Sequence, residues 1–544
     1  LIVAGMVFAN ASSAAAETPA TPVPKTTVAQ TEPVATPTPN PLTYSGTIRS
    51  YYFTRQNASN NPGTQFNFTP GAKYNSNGVN QATLNSSIDL HADYHFAGGG
   101  WYVGGSYFYA NPISGPCTPA STHAKGRPCV SQSPPNTNPD DTLPGFALST
   151  FPEAYLAFKG YGLSGKVGDQ LFSSPWAGPY DGTRLKPEAY QGADVSYVLG
   201  DAWTFEAADM IQFENRTSNT FNSNTLLTSF PAGGGGMAAN IFVPGGGGIT
   251  SDGFFYGKVG YAPKGSAYAL DGYMYAVSDL VNMWWFDGKY SFNAGKFKPY
   301  IALQGGVESN AGASYVGKIR SSDIGVQLGA NVTRNVLVTA GFDSIPRQND
   351  NVVLPRGVTC SNSTYQISAK GATLGYFLPG NGGSSGQAGV CFTNPNGTTN
   401  LYYGGWASPY TDNYATDPLF TTTITQGMAD RRAPGTSWKL AATFTSNNKR
   451  WIVIAADAWY DYGNALVAQN TNEWNLDGQY HFSPATAGPY RGLLLRYRYA
   501  VRTESNTFCG ASGASCPAGA ATGSSYLGGL PLFKYNRAQL EYDF

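Results

Sequence analysis

The stretch that decides the fold is KYNRAQLEYDF, which runs from Lys534 to Phe544. Its side chains form two alternating sets, Ala538, Leu540, Tyr542 and Phe544 in one and Arg537, Gln539, Glu541 and Asp543 in the other. Successive side chains of a β-strand point to opposite faces. The stretch is therefore predicted to be a strand with one apolar face and one charged face.

With its aromatic terminal residue, this strand resembles the closing strand and assembly signal of bacterial outer-membrane β-barrels. The resemblance implies that the apolar face contacts lipid, that the charged face lines a water-filled lumen, and that the outer-membrane assembly machinery recognises the strand. Earlier strands should follow the same rule. Residues 84–96 do so, because apolar and small residues alternate there with Asp89, His91, Asp93 and other polar residues. No helix would produce this period of two.

The composition agrees with a membrane barrel. Only 12% of the 544 residues are charged, and the formal net charge is zero. A soluble globular chain carries about 25% charged residues. The zero net charge argues against a globally basic nucleic-acid-binding protein. No run of eighteen apolar residues occurs, so no transmembrane helix is predicted.

Three regions are predicted along the chain. Residues 1–16 resemble the remainder of a signal peptide, with Ala14 to Ala16 as the cleavage site. Residues 17–41 are rich in Pro and Thr and are predicted to be an extended periplasmic linker. Residues 42–544 are predicted to form a single all-β domain, a transmembrane antiparallel β-barrel in the bacterial outer membrane.

The spacing of turns predicts about eighteen strands. Short turns are expected near residues 98–100, 160–162, 200–201, 263–265, 293–296, 333–335, 446–450 and 483–488, and long connections at 112–147, 214–252, 344–436 and 503–528. Short and long connections alternate, as the periplasmic turns and external loops of transmembrane barrels do. A barrel of eighteen strands leaves an aqueous channel.

Six cysteines form three pairs that are local in sequence: Cys117 with Cys129, Cys360 with Cys391, and Cys509 with Cys516. All lie in predicted long loops, and an exported protein meets an oxidising compartment. Three loop disulfides are therefore predicted, although the connectivity stays open. Zinc is the alternative, but the sequence has no C-x-x-C spacing to support it.

Four segments resemble the OprD-type family of substrate-specific outer-membrane porins: IRSYYFTR (48–55), KVGDQLFSSPWAGPYDGTRLKPEAYQGADVSYV (166–198), DPLFTTTITQGMADRRAPGTSWKLAATF (417–444) and GLLLRYRYAVR (492–502). The matches spread over most of residues 42–544. The Pro-rich leader, the cysteine pairs and the long 344–436 loop depart from the family pattern. The resemblance implies an eighteen-stranded barrel that admits selected small solutes.

Arginines form the first candidate site. Arg496, Arg498 and Arg502 share one face of the penultimate strand, opposite its apolar face, and Arg537 and Arg49 lie on the polar faces of the last and first strands. An Arg facing lipid at the bilayer midplane costs about 2–4 kcal/mol, so these side chains are predicted to face the lumen. In the family a basic ladder guides carboxylate-bearing solutes, and Arg49, Arg496, Arg498 and Arg502 match it. Alternatively, the arginines pair with lumenal acids such as Glu541, Asp543 and Asp477 and serve only stability.

The second candidate site is the loop at about residues 171–191. It carries Trp176, Tyr180, Asp181, Arg184, Lys186, Glu188 and Tyr190. By resemblance it is the inward-folded constriction loop of a porin, where mixed charge would orient a dipolar solute. Alternatively, it only covers the rim of the barrel.

No catalytic motif was found, since the chain has no G-x-S-x-G, P-loop or H-E-x-x-H. His91 and His95 lie about 13 Å apart along a strand, too far to hold one metal. The sequence therefore predicts a non-enzymatic porin, monomeric or trimeric, without cofactor or energy coupling. It would pass small carboxylate-bearing or zwitterionic solutes by diffusion. The alternative is a structural or adhesive barrel with an occluded lumen.

Overall fold

Eighteen antiparallel strands pair in chain order, and the last pairs with the first to close a barrel. The computed structural model describes residues 41–57, 81–96, 99–113, 147–178, 185–216, 218–223, 225, 251–314, 318–352, 391–393, 399–411, 417–429, 434–462, 470–483, 490–504 and 531–544. The predicted leader and linker, residues 1–16 and 17–41, lie outside this part of the chain except for Pro41. The predicted barrel of about eighteen strands is confirmed.

The first thirteen barrel strands are β1 (Leu42–Asn57), β2 (Gln81–His95), β3 (Trp101–Pro112), β4 (Leu148–Gly160), β5 (Leu163–Gln170), β6 (Ala189–Leu199), β7 (Trp203–Glu214), β8 (Phe254–Tyr261), β9 (Tyr268–Val277), β10 (Val281–Ser291), β11 (Tyr300–Asn310), β12 (Arg320–Thr333) and β13 (Val336–Ile345). The barrel ends with β17 (Gly435–Thr445), β18 (Trp451–Asp461), β19 (Thr471–His481), β20 (Leu493–Glu504) and β21 (Pro531–Asp543). Between β13 and β17, the strands β14 (Gln348–Val352), β15 (Cys391–Thr393) and β16 (Thr399–Tyr403) form a separate three-stranded sheet.

The short turns lie at one end of the barrel, where the predictions placed them. The turn residues include Tyr161 and Lys449, which adopt a positive φ. This end faces the periplasm in transmembrane barrels. At the other end the connections are long, with one exception: only residues 278–280 join β9 to β10. None of the helical segments in the described residues is long and apolar enough to cross a bilayer.

The outer surface of the barrel is apolar because each strand keeps the alternation of its sequence. Aromatic side chains are exposed near both ends of the strands, among them Trp101, Trp203, Trp284, Trp438, Trp451, Trp459, Trp474 and Phe544. Aliphatic side chains such as Leu328 and Leu440 are exposed between them. An apolar belt flanked by aromatic girdles is the surface that a bilayer requires.

The lumen is partly filled by chain that folds inward. Residues 404–411 and 417–429, here called the inner segment, are buried against the wall. Residues 171–178 also turn inward, and a parallel bridge joins Ala177 to Tyr410. The rings of Trp176, Trp285 and Trp406 pack with centroids 5.1–5.5 Å apart. The buried core of this protein therefore lies inside the barrel.

Candidate functional site

The five arginines of the first candidate site, here called the basic wall, lie on three strands of the barrel. Arg49 lies on β1, Arg496, Arg498 and Arg502 on β20, and Arg537 on β21. Their neighbours Leu495, Tyr497 and Leu540 are exposed on the outside, whereas the arginines are only 1–5% exposed. The alternation of β20 and β21 sets this orientation, and the three strands are hydrogen-bonded neighbours. The structure thus brings all five together.

Acidic side chains meet the basic wall. The Arg49 Nε atom lies 2.5 Å from Glu541 Oε2. Arg496 donates to both oxygens of Asp477, with Nη2 2.6 Å from Oδ2, and Arg498 Nε donates to the same Oδ2 at 2.8 Å. Two guanidinium groups therefore share one carboxylate. Asp543 accepts instead from the Thr47 hydroxyl at 2.6 Å.

The two remaining arginines contact other groups. Arg537 lies directly across from Arg498 in the strand pairing, and its guanidinium lies 5.3 Å from the centre of the Tyr51 ring. Arg502 lies across from Glu473 and donates from Nη1 to the Thr425 carbonyl at 3.0 Å. The inner segment thus covers the basic wall at the end of the barrel that carries the long loops.

Four of the predicted constriction-loop residues lie in the described part of the chain: Trp176, Lys186, Glu188 and Tyr190, which is buried at the start of β6. Trp176 is buried in the tryptophan cluster, and its amide donates to the Tyr275 hydroxyl at 3.2 Å. Lys186 Nζ lies 3.3 Å from Glu214 Oε1, and Arg216 Nη1 lies 3.1 Å from Glu188 Oε1. Both Lys186 and Glu188 are buried. Burial lowers the pKa of Lys186, and Glu214 opposes this shift.

The other predicted residues of this loop, Tyr180, Asp181 and Arg184, lie outside the described residues. The predicted disulfides also fall outside: Cys117, Cys129, Cys360, Cys509 and Cys516 are not described, and for Cys391 only its place in β15 is.

A second charged region of the lumen went unrecognised in the sequence. Acidic residues of β2, β4, β6, β7, β9 and β10 face inward and form what is here called the acidic arc: Asp89, Asp93, Glu153, Asp194, Glu206, Asp271 and Asp287. Fewer basic residues accompany them, namely His91, Lys166, Lys258 and Lys289. The alternation of β2 already places three of these residues on one polar face, but the partners on distant strands carry no local signal.

Side-chain contacts connect the acidic arc. His91 lies 3.2 Å from Asp93 Oδ2 and 3.1 Å from Glu153 Oε2. Lys258 Nζ lies 3.4 Å from Glu206 Oε1 and 3.5 Å from Asp271 Oδ1. Most lumen-facing residues of β2, β5 and β6 are half-buried, whereas those of β19 to β21 are nearly all buried. The more accessible part of the lumen wall therefore includes β2, β5 and β6, at one end of the acidic arc.

The inner segment was also missed, because it lies in the predicted 344–436 loop. Lumen-facing carboxylates of three strands accept its amide N–H groups: Glu308 from Ala407 at 2.8 Å, Asp343 from Thr421 at 2.8 Å, and Glu473 from Thr425 at 3.2 Å. Lys439 donates to the Thr422 carbonyl at 2.6 Å. The run PLFTTTITQGMA at 418–429, which is rich in threonine and apolar residues and has a single glycine, is a sequence signal for this burial.

At the level of sequence, no family model matches the chain, and no curated protein matches it. Solved structures do resemble its fold. The outer-membrane protein opdK from Pseudomonas aeruginosa is 14% identical, with a TM-score of 0.57 over 92% of this chain and 98% of that one. A BenF-like porin from Pseudomonas fluorescens Pf-5 is 13% identical, with a TM-score of 0.60 over 92% and 98%.

Pseudomonas aeruginosa OccK2 (OpdF), solved in complex with glucuronate, is 13% identical, with a TM-score of 0.57 over 92% of this chain and 96% of that one. These neighbours are porins. Together with the closed barrel and its apolar outer belt, they place the architecture among bacterial outer-membrane proteins. The fold of this chain is that of the OprD/Occ family of outer-membrane porins.

Proposed function

We propose that this chain is a passive diffusion channel of the outer membrane for small polar solutes, with a preference for those that bear a carboxylate. The observation that carries the proposal is the distribution of charge in the lumen. Arg49, Arg496, Arg498, Arg502 and Arg537 lie on three adjacent strands, and the acidic arc lies on the strands that follow β1 round the barrel.

The two regions reach opposite sides of the lumen. Strands nine positions apart in an eighteen-stranded barrel face each other, and β8 and β20 are such a pair. Glu206 and Asp271 lie on the neighbours of β8, opposite Arg496 and Arg498 on β20. Opposed fixed charges create a field across the lumen, which orients a dipolar solute. A zwitterion would present its carboxylate to the basic wall and its ammonium group to the acidic arc.

The acidic partners of the basic wall are compatible with transport as well as with stability of the barrel. Guanidinium groups bind carboxylates bidentately, and Arg496 and Arg498 share the single carboxylate of Asp477. The guanidinium groups of the basic wall would supply the positive charge that attracts an anion. Partial compensation keeps that attraction weak enough for release, as conduction requires.

A second candidate function is a structural or adhesive barrel whose lumen is closed. The burial of the inner segment and of the five arginines favours it, because a solute must pass these groups to cross. Both functions agree with the fold, since a fold does not define a function.

Planar-bilayer recording of the purified barrel separates the two. A channel should give discrete conductance steps, and a gradient of salt should give a reversal potential that reports its charge preference. Flux into liposomes should then rank small carboxylates and zwitterions above neutral sugars of similar size. A protein that inserts but conducts no ions would exclude the diffusion channel and leave the adhesive barrel.

A further inference from the structure

Two buried carboxyl groups lie on adjacent strands behind the inner segment. Glu308 on β11 and Asp323 on β12 both face the lumen, and their side chains are 4% and 6% exposed. Glu308 pairs with Ser321 across the two strands, so Asp323 occupies the next position on the same face. Such diagonal neighbours are about 7–8 Å apart at the backbone.

Three oxygens of this pair lack a hydrogen bond of good geometry. Glu308 Oε2 accepts from the Ala407 amide at 2.8 Å, but Glu308 Oε1 and both oxygens of Asp323 have no such donor, and the adjacent Ile324 amide interacts only weakly with the Asp323 carboxyl. Leaving a buried polar atom unsatisfied costs about 1–3 kcal/mol, and more for a charged group. Native proteins rarely tolerate three such atoms side by side unless water or an ion satisfies them.

The nearby groups do not supply the missing charge. The carboxyl groups that interact with Asp323 are those of Glu308, Asp343 and Asp417, all acidic. Asp343 is itself satisfied, because its oxygens accept from the Gln304 amide at 2.7 Å and from the amide and hydroxyl of Thr421. Among the described residues, Glu308 and Asp323 form no salt bridge, whereas Lys439 acts on the neighbouring Asp343.

We propose that Glu308 and Asp323 bind a divalent cation, Ca²⁺, that holds the inner segment against the barrel wall. The ligands are oxygens only, which favours a hard cation over a transition metal. Ca²⁺ binds oxygens at about 2.3–2.6 Å in irregular geometry, so one ion can bridge two carboxylates at diagonal positions. Among the described residues, no group of three His, Cys, Asp or Glu side chains has metal-site geometry. Water and main-chain oxygens complete the shell.

The ion would act on the inner segment through two contacts. Glu308 accepts the amide of Ala407, and Asp417 of the same segment interacts with Asp323. A cation bound between Glu308 and Asp323 would neutralise their charge. The carboxylate of Asp417 would then no longer be repelled by Asp323 when the inner segment packs against the barrel wall. The cation site does not depend on transport, so a test of the site is separate from a test of the proposed channel.

Terbium luminescence tests the site on the purified, folded barrel. Tb³⁺ replaces Ca²⁺ and emits when a nearby indole is excited. Trp406 precedes Ala407, and Trp406 and Trp285 both approach Gly306, the strand partner of Asp323. We expect sensitised emission that Ca²⁺ displaces at lower concentration than Mg²⁺. Asp323→Asn and Glu308→Gln should each reduce Tb³⁺ affinity at least tenfold, and Asp201→Asn in the exposed turn between β6 and β7 should leave it unchanged.

Two further measurements keep the test decisive if Asp323→Asn fails to fold. Trp406→Phe and Trp285→Phe preserve most of the packing and should weaken sensitised emission while a Ca²⁺-dependent rise in Tm remains. Emission that survives both substitutions would place the bound ion elsewhere and overturn the proposal. A wild-type barrel that neither binds Tb³⁺ nor gains Tm with Ca²⁺ would do the same, and would indicate that the two carboxyls carry protons instead.

Discussion

Arg49 of the first strand and Glu541 of the last are direct partners across the seam that closes the barrel, with Nε 2.5 Å from Oε2. The same two strands are joined at the periplasmic end by reciprocal backbone hydrogen bonds between Gly46 and Phe544. One residue of the basic wall therefore also holds together the two ends of the sheet. A residue of the proposed solute path thus also takes part in closing the barrel.

This seam predicts an asymmetric effect of substitution. Arg49→Met should destabilise the barrel by about 3–5 kcal/mol, because Glu541 remains buried without its ionic partner. The double substitution Arg49→Met and Glu541→Leu should recover most of this loss, since apolar residues replace both charges. Guanidinium unfolding followed by tryptophan fluorescence measures both. A double variant as unstable as the single one would contradict this account of the seam.

Neutralising Arg496 and Arg498 tests the basic wall in transport. The double substitution to Gln should lower the flux of small carboxylates several-fold more than that of neutral sugars, because two guanidinium groups of the basic wall are removed. Liposome uptake with paired solutes measures the ratio. Asp477→Asn added to the same variant is the matched control, since it removes the carboxylate that would otherwise be left uncompensated. Equal loss for both solutes would assign the arginines to stability alone.

The inner segment should limit conductance. Trp406→Ala removes a fully buried side chain that packs against Trp176 and Trp285, at a cost of about 3–5 kcal/mol. The loosened segment should leave the wall more often, so mean single-channel current should rise. Trp459→Ala, which changes an exposed tryptophan of the outer girdle, should leave the current unchanged. A Trp406→Ala channel with wild-type current would mean that the inner segment lies outside the conducting path.

An introduced charge should destabilise the barrel by different amounts on the two faces of β17. Leu440, 53% exposed, lies in the middle of β17 and faces outward. Leu440→Arg should destabilise the barrel by about 2–4 kcal/mol, the cost of Arg at the bilayer midplane. Thr443→Arg on the lumen face of the same strand should cost much less, because its side chain reaches water. Unfolding in lipid vesicles compares them, and equal losses would argue against the assignment of the two faces.

The sequence alone determined the barrel, the approximate number of strands and the direction of the arginines. Each of these depends on a local rule: the period-two alternation of a strand, or the turn residues between two strands. Alternation within β20 is enough to place Arg496 and Arg498 on one face and Tyr497 on the other, whatever the neighbouring strands are.

Only the tertiary structure decided what the arginines meet and where the lumen stays accessible. The pairing of Asp477 with Arg496 and Arg498 depends on the register of β19 against β20. The acidic arc combines residues from six strands, and the inner segment is held by carboxylates from three others. The path of a long loop depends on contacts between residues far apart in the chain. A pattern that extends over a few residues cannot encode such contacts.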